Sequence, residues 1–114
     1  MNGEVSHLEI GAVTGAQSSK FFASLFGWSF HRMGDGEQGW FKTPSCKAGL
    51  HAGDPKPGFS VYFSVSDIEQ AVVLVNKLGG QAEAISPEEP GFGRFCTCRD
   101  PEGVQFGLHQ PSAN

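Results

Sequence analysis

Imidazole and carboxylate side chains near the start of this chain are its first candidates for chemistry. His7 and Glu9 alternate with Leu8 and Ile10, which is the period-two pattern of a strand with one polar and one apolar face. Because residues two apart on a strand point to the same side, the imidazole and the carboxylate share the polar face. There they can ligate a metal ion, bind a ligand, or serve only as a hydrogen-bonded polar pair.

The tripeptide Gly-Leu-His occurs twice, at 49–51 and at 107–109, and adds two histidines to this set. In both occurrences the histidine follows the glycine by two positions, so the two residues share one strand face. We therefore add His51 and His109 to the candidate residues.

The repeated tripeptide indicates an internal repeat, which a shift of the chain by 53 positions extends. The shift lays residues 6–10 on residues 59–63, and residues 25–27 on residues 78–80, without a gap. The two Gly-Leu-His segments are 58 positions apart, so the second copy carries five extra residues, which we assign to a loop at 87–91. The chain is therefore predicted to hold two copies of one module.

Each copy is predicted to be a strand, a helix and three more strands, a βαβββ module, which makes the fold class α+β. We assign residues 1–114 to one domain, with the first module at 5–53, the second at 59–110 and a linker at 54–58. Strands are predicted at residues 5–11, 28–33, 38–43, 46–52, 59–65, 81–85, 93–99 and 104–109, with a tight turn at 100–103.

Both helices have start and stop signals in the sequence. Capping boxes are predicted at 14–17 and at 66–69, and the glycines at 27 and at 79–80 are expected to end the helices. An apolar stripe on the first helix is predicted to be core and comprises Phe21, Phe22, Leu25 and Phe26.

Composition and charge argue against several classes of function. The chain has 8 basic and 12 acidic residues and a net charge of −4, without a basic cluster on any predicted element, which argues against a nucleic-acid or anionic-membrane partner. Neither a signal peptide nor a membrane span is recognisable, so a cytoplasmic location is expected. The three cysteines lack metal-finger spacing and are expected to be free thiols.

In each module the apolar face of the strands must cover the helix, which leaves the opposite face for other uses. Two such sheets side by side are expected to curve into a cup, and a concave wall with a few convergent polar groups is where ligands usually bind. The candidate ligand-binding residues on this wall are His7, Glu9, His51, Ser60, Tyr62 and His109.

Six segments of these modules carry a family resemblance: Phe21-Phe22, Leu25-Phe26-Gly27-Trp28, the helix start from Val65 to Ala71, Leu78-Gly79-Gly80, Gly93-Arg94-Phe95 and Asp100-Pro101-Glu102-Gly103. Together they resemble the glyoxalase, bleomycin-resistance and extradiol-dioxygenase superfamily, also called vicinal oxygen chelate proteins. The resemblance covers nearly the whole chain and implies two βαβββ modules with paired, curved mixed sheets. It also implies a choice among metal-dependent lyases, isomerases and dioxygenases and metal-free drug-binding proteins.

In metal-dependent members, the resemblance implies one metal ligand on the first and one on the last strand of each module. Carried over by position, the four places fall on His7, Gly49, Ser60 and Gly107, of which only His7 is a competent ligand. We therefore expect no conventional metal centre and no cofactor. The alternative is a divalent metal held by altered ligands, because His51 and His109 lie two residues beyond the glycines, about 6 to 7 Å along each strand.

The resemblance and the altered ligand positions together predict a glyoxalase- and bleomycin-resistance-like protein that binds a small molecule in the cup. One alternative is a metal-dependent lyase or isomerase of the superfamily with altered ligands. Another is an interaction module whose cup is filled by its own Phe and Trp side chains.

A homodimer is also expected. Each four-stranded module leaves an edge strand and half a cup exposed, and exposed edges tend to be paired or covered. The linker at 54–58 is short and holds two prolines, so we expect modules of two chains to pair about a two-fold axis. Each cup then combines His7 and His51 of one chain with Ser60 and His109 of the other.

Overall fold

A computed structural model describes residues 2–112 of the protein and shows two helices and eight strands among them. The elements follow one another in the order strand, helix, three strands, twice over. Their bounds are β1 (Val5–Gly11), α1 (Gly15–Phe26), β2 (Ser29–Arg32), β3 (Gly39–Lys42), β4 (Lys47–His51), β5 (Gly58–Ser64), α2 (Ile68–Lys77), β6 (Gln81–Ala82), β7 (Gly93–Arg99) and β8 (Gln105–Pro111).

The described residues divide into two compact units. The first unit comprises residues 7–60, and the second comprises residues 61–112 together with residues 2–6. Each unit contains one helix and its own set of paired strands.

In the first unit the strands are hydrogen-bonded in the order β2-β3-β4-β1. β1 and β4 run parallel, whereas β2 with β3 and β3 with β4 pair antiparallel. Leu8 packs against the core on the side of α1, so the predicted parity of β1 is confirmed and His7 and Glu9 point to the opposite face. The buried core residues of this unit are Ile10, Phe41, Ala48 and Leu50.

In the second unit the strands follow the order β5-β8-β7-β6, which is the same order when strands are numbered within their own module. The first and last strands of the module, β5 and β8, are again parallel, and the remaining pairs are antiparallel. This matching topology confirms the predicted α+β fold with two βαβββ modules. The buried core residues here are Val65, Ile68, Cys96, Cys98 and Leu108, packed against Ala71, Val72 and Val75 of α2.

The paired cysteines belong to this core and not to the polar face. Cys96 and Cys98 alternate along β7 and place their sulfur atoms 3.8 Å apart as free thiols, as the sequence predicts. Burial, followed by the neighbouring Cys96, raises the pKa of the Cys98 thiol to about 12. Such thiols are protonated and unreactive at neutral pH, which fits a packing role.

The helix ends confirm the stop signals and Thr14 as the N-cap residue of α1, but the capping hydrogen bonds at both starts differ from the prediction. Gly27 ends α1 in the left-handed conformation, with φ 73°. The Thr14 side chain makes no cap hydrogen bond, and the Glu37 carboxylate accepts from the Ala16 N–H at 3.2 Å. The N-cap of α2 lies one residue later than predicted, at Asp67 and not at Ser66. The Asp67 carboxylate accepts from the Gln70 N–H at 3.1 Å. Among residues 2–112 we find no helix that is long and apolar enough to cross a membrane.

The aromatic stripe of α1 is only partly core, so that prediction is wrong for three of its four residues. Phe22 packs against the core and meets Phe41 with ring centroids 6.3 Å apart. Phe21, Leu25 and Phe26 are 59%, 58% and 55% exposed. The physical reason is that a single sheet face buries one stripe of a helix and leaves its flanks in solvent.

The turn that joins β7 to β8 forms as predicted. The Asp100 carboxylate accepts from the backbone N–H of Glu102 at 2.8 Å and of Val104 at 2.9 Å, and Gly103 adopts φ 94°. Two strand bounds differ from the prediction by more than one residue. β6 ends at Ala82 and not at 85, and β8 continues to Pro111.

Candidate functional site

The polar face of the first unit carries a hydrogen-bonded row of four ionisable side chains, here called the polar chain. His7 Nε2 lies 3.4 Å from Glu9 Oε1, and His51 Nδ1 lies 2.8 Å from Glu9 Oε2. His51 Nε2 in turn lies 3.0 Å from Asp54 Oδ2. The structure thus brings together His7, Glu9 and His51 as the sequence predicts, and adds Asp54.

Glycines make room for the polar chain because of the register of β1 and β4. Glu9 pairs with Gly49, and Gly11 pairs with His51, so each large side chain lies beside a glycine of the neighbouring strand. A Cβ atom at Gly49 would collide with Glu9 Oε1. A Cβ atom at Gly11 would collide with Asp54 Oδ2 and lie 3.1 Å from His51 Nε2. Both glycines are therefore part of the site, although neither contributes a side chain.

The charges in the polar chain follow from its hydrogen bonds. Both ring nitrogens of His51 face a carboxylate, and only an imidazolium can donate from both at once. The hydrogen bond to Glu9, opposed by burial and helped by Asp54, raises the pKa of His51. Burial raises the pKa of Glu9, but the hydrogen bonds with His7 and His51 outweigh it and leave that pKa lowered. Glu9 is thus an ionised carboxylate between two imidazoles.

Asp54 completes the chain from the exposed side. Its carboxylate accepts from the Lys56 backbone N–H at 2.9 Å, and this bond, followed by the one with His51, lowers the pKa of Asp54. The side chain of His51 is 42% exposed, and that of Glu9 is 28% exposed. The middle of the polar chain is therefore within reach of a solute, whereas His7 is buried.

In the second unit a large side chain again lies beside a glycine of the neighbouring strand, but this side chain is aromatic. Tyr62 occupies the position equivalent to Glu9 and pairs with Gly107, the equivalent of Gly49. The Tyr62 ring lies over Gly107, where a Cβ atom would collide with it. The same ring and that of Phe95 are nearly perpendicular, with centroids 5.4 Å apart. An aromatic surface thus replaces the carboxylate of the first unit.

His109, the equivalent of His51, is hydrogen-bonded on both ring nitrogens and is 6% exposed. Its Nε2 donates to the Phe92 carbonyl at 2.7 Å, and Nδ1 then accepts from the Ser6 hydroxyl at 2.7 Å. Its ring stacks on Phe95 with centroids 4.6 Å apart. Ser60, the remaining candidate, is half-buried on β5.

Sequence reasoning missed Asp54 because it was assigned to the linker. Its position three residues after His51, where a strand ends, is the signal that could have identified it. The sequence also gave no partner for His31, which the structure stacks on Trp40 with ring centroids 4.4 Å apart. Lys47 Nζ lies 4.9 Å from the centre of the same Trp40 ring, so the polar face carries an aromatic and cationic patch as well.

The four superfamily ligand positions do not fit a metal centre. His7 keeps a donor, but the space beside Gly49 is filled by the Glu9 carboxylate and that over Gly107 by the Tyr62 ring. A serine hydroxyl at Ser60 is a poor ligand for divalent transition metals. Within residues 2–112, no group of three or more His, Cys, Asp or Glu side chains is arranged to hold a metal ion.

Named relatives are similar in sequence to this chain, whereas no family model matches it. The Mycobacterium bovis protein CFP32, which is named as a glyoxylase, is 31% identical over 85 residues, covering 71% of this chain and 29% of CFP32. This chain therefore spans less than a third of that relative. A glyoxylase-like domain-containing protein of Didymella fabae is 29% identical over 121 residues, covering 90% of each chain.

Solved structures share the fold at low sequence identity. Methylmalonyl-CoA epimerase from Mycobacterium tuberculosis has a TM-score of 0.75 and 14% identity, covering 96% of this chain and 88% of the enzyme. An extradiol ring-cleaving dioxygenase from B. fuscum has a TM-score of 0.71 and 14% identity, covering 98% of this chain and 34% of the enzyme. At such identities the likeness concerns the fold alone.

The hydrogen bonds of His51 give a pH-dependence with a defined sign. Because the folded-state pKa of His51 is raised above 6.5, its contribution to stability is complete below pH 6.5 and is lost as the pH rises through the folded-state value. We expect the His51 ring signals in an NMR titration to shift with a midpoint above 6.5. Glu9→Gln should lower that midpoint more than Asp54→Asn. A His51 midpoint at or below 6.5 in the wild-type protein would contradict the assigned charge.

Proposed function

This chain belongs to the glyoxalase, bleomycin-resistance and extradiol-dioxygenase superfamily, and from that premise we propose that it binds a small molecule on the polar face of its strands without the metal centre of the superfamily's enzymes. The ligand site includes the exposed part of Glu9 and His51. Tyr62 supplies an aromatic surface in the second unit.

One observation carries this proposal: the two last-strand positions at which a metal ligand would stand are glycines covered by a neighbouring side chain. Glu9 lies beside Gly49 and Tyr62 lies over Gly107, so both modules have a covered glycine at this position. A glycine with its space filled cannot be replaced by a metal-ligating residue without moving that side chain. The polar faces keep hydrogen-bonding and aromatic groups of the kind that line ligand sites.

The alternative, a metal-dependent lyase or isomerase with altered ligands, is less well supported by the contacts. Both oxygens of Glu9 already face imidazole nitrogens, at 3.4 and 2.8 Å. The two nitrogens of His51 face Glu9 and Asp54. A metal bound there would have to displace these hydrogen bonds.

Metal content and ligand binding test the proposal together. Protein purified without chelator is expected to contain far less than one zinc, nickel or iron per chain. A thermal-shift screen of small organic molecules is expected to give stabilising ligands whose effect persists in chelator. A ligand at 100 times its Kd stabilises by about 2.7 kcal/mol, which such a screen detects.

The matched variants are Glu9→Gln, which keeps the shape of the side chain, and Glu88→Gln in an exposed loop as control. Glu9→Gln should weaken ligand stabilisation and the control should not. About one metal ion per chain, lost on His7→Ala, would overturn the metal-free site. A screen in which no ligand stabilises the protein would overturn binding itself.

We also propose that the protein is a homodimer, supported by the exposed apolar flank of α1. Phe21, Leu25 and Phe26 are more than half exposed, and Phe59, 56% exposed, stacks edge-on with Phe22 of the same helix. Contiguous apolar surface of this kind usually marks a protein interface.

Light scattering at micromolar concentrations is expected to return twice the chain mass. Leu25→Ser should shift the protein towards monomer, whereas Val73→Ser on α2, which is 62% exposed, should leave the mass unchanged. A wild-type protein that is monomeric across this range would refute the dimer.

A further inference from the structure

The segment that joins β4 to β5 in the first unit, here called the strap, comprises residues 52–57. Two backbone hydrogen bonds hold its beginning. Gly53 N–H donates to the Val13 carbonyl at 3.1 Å, and Asp54 N–H donates to the Ala12 carbonyl at 3.0 Å. All residues of the strap other than Asp54 are exposed. The first half of the strap is therefore fixed by its backbone to the residues that follow β1.

The second half of the strap depends on the side chain of Asp54. Pro55 and Pro57 have no N–H group, so Lys56 carries the only backbone donor of residues 55–57. That N–H donates to Asp54 Oδ1 at 2.9 Å, whereas Asp54 Oδ2 lies 3.0 Å from His51 Nε2. The Asp54 carboxylate thus joins this half of the strap to the polar chain.

His51 can hold both of its carboxylate partners only while it is charged. An imidazolium donates from both ring nitrogens, whereas a neutral imidazole has one N–H and one acceptor nitrogen, which cannot bond to a carboxylate oxygen. Loss of the proton therefore breaks one of two contacts, the one with Glu9 at 2.8 Å or the one with Asp54 at 3.0 Å.

The surroundings of the two carboxylates decide which contact breaks. Glu9 lies within β1, where its backbone is paired with Gly49 of β4. Burial is the largest influence on the pKa of Glu9, whereas for Asp54 the hydrogen bond with the Lys56 backbone is the largest and burial is a minor one. An Asp54 oxygen that leaves His51 can be solvated by water, but a Glu9 oxygen without its donor would stay partly desolvated. The contact with Asp54 is therefore the one that is lost.

The charged groups around His51 come from two elements. β1 contributes Glu9, with His7 behind it, and the strap contributes Asp54 and the exposed Lys56. On the other side of β4, the register with β3 stops one residue short of His51, and α1 covers the opposite face of the sheet. The proton on His51 is thus held between a strand carboxylate and a strap carboxylate.

We propose that residues 52–57 are a proton-controlled strap, which Asp54 closes over His51 while His51 is charged and releases when His51 loses its proton. Release leaves the Nε2 atom of His51 with a lone pair at a side chain that is already 42% exposed. This nitrogen can then accept a hydrogen bond from a ligand, which adds pH control to the proposed ligand site. The strap itself needs no ligand, so it does not rest on the proposed function.

The direction of the switch follows from the charge of His51. The hydrogen bond with Glu9, opposed by burial and helped by Asp54, raises the pKa of His51 above 6.5. The strap is therefore closed below pH 6.5 and opens as the pH rises through the folded-state value. The pKa values of Glu9 and Asp54 are lowered, so both carboxylates stay ionised through this change.

NMR of the intact protein tests the strap across the His51 midpoint. Above the midpoint, the nitrogen shifts of His51 should show the tautomer with its proton on Nδ1, facing Glu9, and a bare Nε2. The protection of the Lys56 amide against hydrogen exchange, corrected for the intrinsic effect of pH, should fall by a factor of about 2 to 10 as its acceptor is released. The Gly103 amide, which donates to the Asp100 carbonyl in the second unit, should keep its protection.

Three variants separate this switch from a general effect of pH. Glu9→Gln keeps the shape of the side chain but removes its charge, so neutral His51 should keep its proton towards Asp54 and the strap should stay closed. His51→Gln should abolish the change at Lys56. His31→Gln is the matched control, an exposed histidine of β2, and should retain it.

The tautomer is measured in the wild-type protein, so the test does not depend on whether a variant folds. A neutral His51 with its proton on Nε2, or a Lys56 amide whose protection is the same on both sides of the midpoint, would overturn the strap. A change that persists in His51→Gln would overturn it as well. So would a His51 that stays charged up to about pH 10, where lysines titrate.

Discussion

The structure depends on the parallel pairing of the first and last strands of each module in one particular register. That register sets Glu9 beside Gly49 and Tyr62 beside Gly107, so in each module one large side chain of the first strand meets a glycine of the last strand. Because two large side chains could not occupy these neighbouring positions, the glycines and their partners must change together. The same backbone arrangement thus carries a carboxylate in one module and an aromatic ring in the other.

Alternation along the strands then divides each unit into an apolar and a polar side. In the first unit the apolar side is closed by α1, and hydrogen bonds join the side chains of the polar side to one another. Because both oxygens of Glu9 are hydrogen-bonded to imidazoles, these bonds offset the cost of removing the carboxylate from water. The remaining exposure of Glu9 and His51 keeps part of the polar chain in contact with solvent.

Much of this arrangement follows from sequence alone, because it depends on local patterns. The alternation of apolar and polar residues fixed which face His7 and Glu9 occupy, and the composition of 100–103 predicted its turn. The absence of a donor side chain at Gly49 and Gly107 required no structure to recognise.

What the sequence could not predict depends on contacts between distant residues. Asp54 reaches His51 because Gly53 adopts φ 76° and the Asp54 N–H donates to the Ala12 carbonyl at 3.0 Å, which returns the chain towards β1. The cap of α2 at Asp67 differs from the prediction by one residue, which local spacing does not resolve. The exposure of Phe21 depends on how much of α1 the sheet covers, which periodicity does not report.

The most direct test of this account is a double-mutant cycle between Glu9→Ala and Gly49→Ala, read by urea unfolding, with Gly36→Ala as a control at a glycine with open space around it. If Glu9 fills the space at Gly49, then Gly49→Ala should cost about 1–3 kcal/mol in the wild-type background and close to nothing when residue 9 is alanine. Gly36→Ala should have a small effect in both backgrounds. An equal cost of Gly49→Ala with and without the Glu9 side chain would contradict the claim that this side chain fills the space at Gly49.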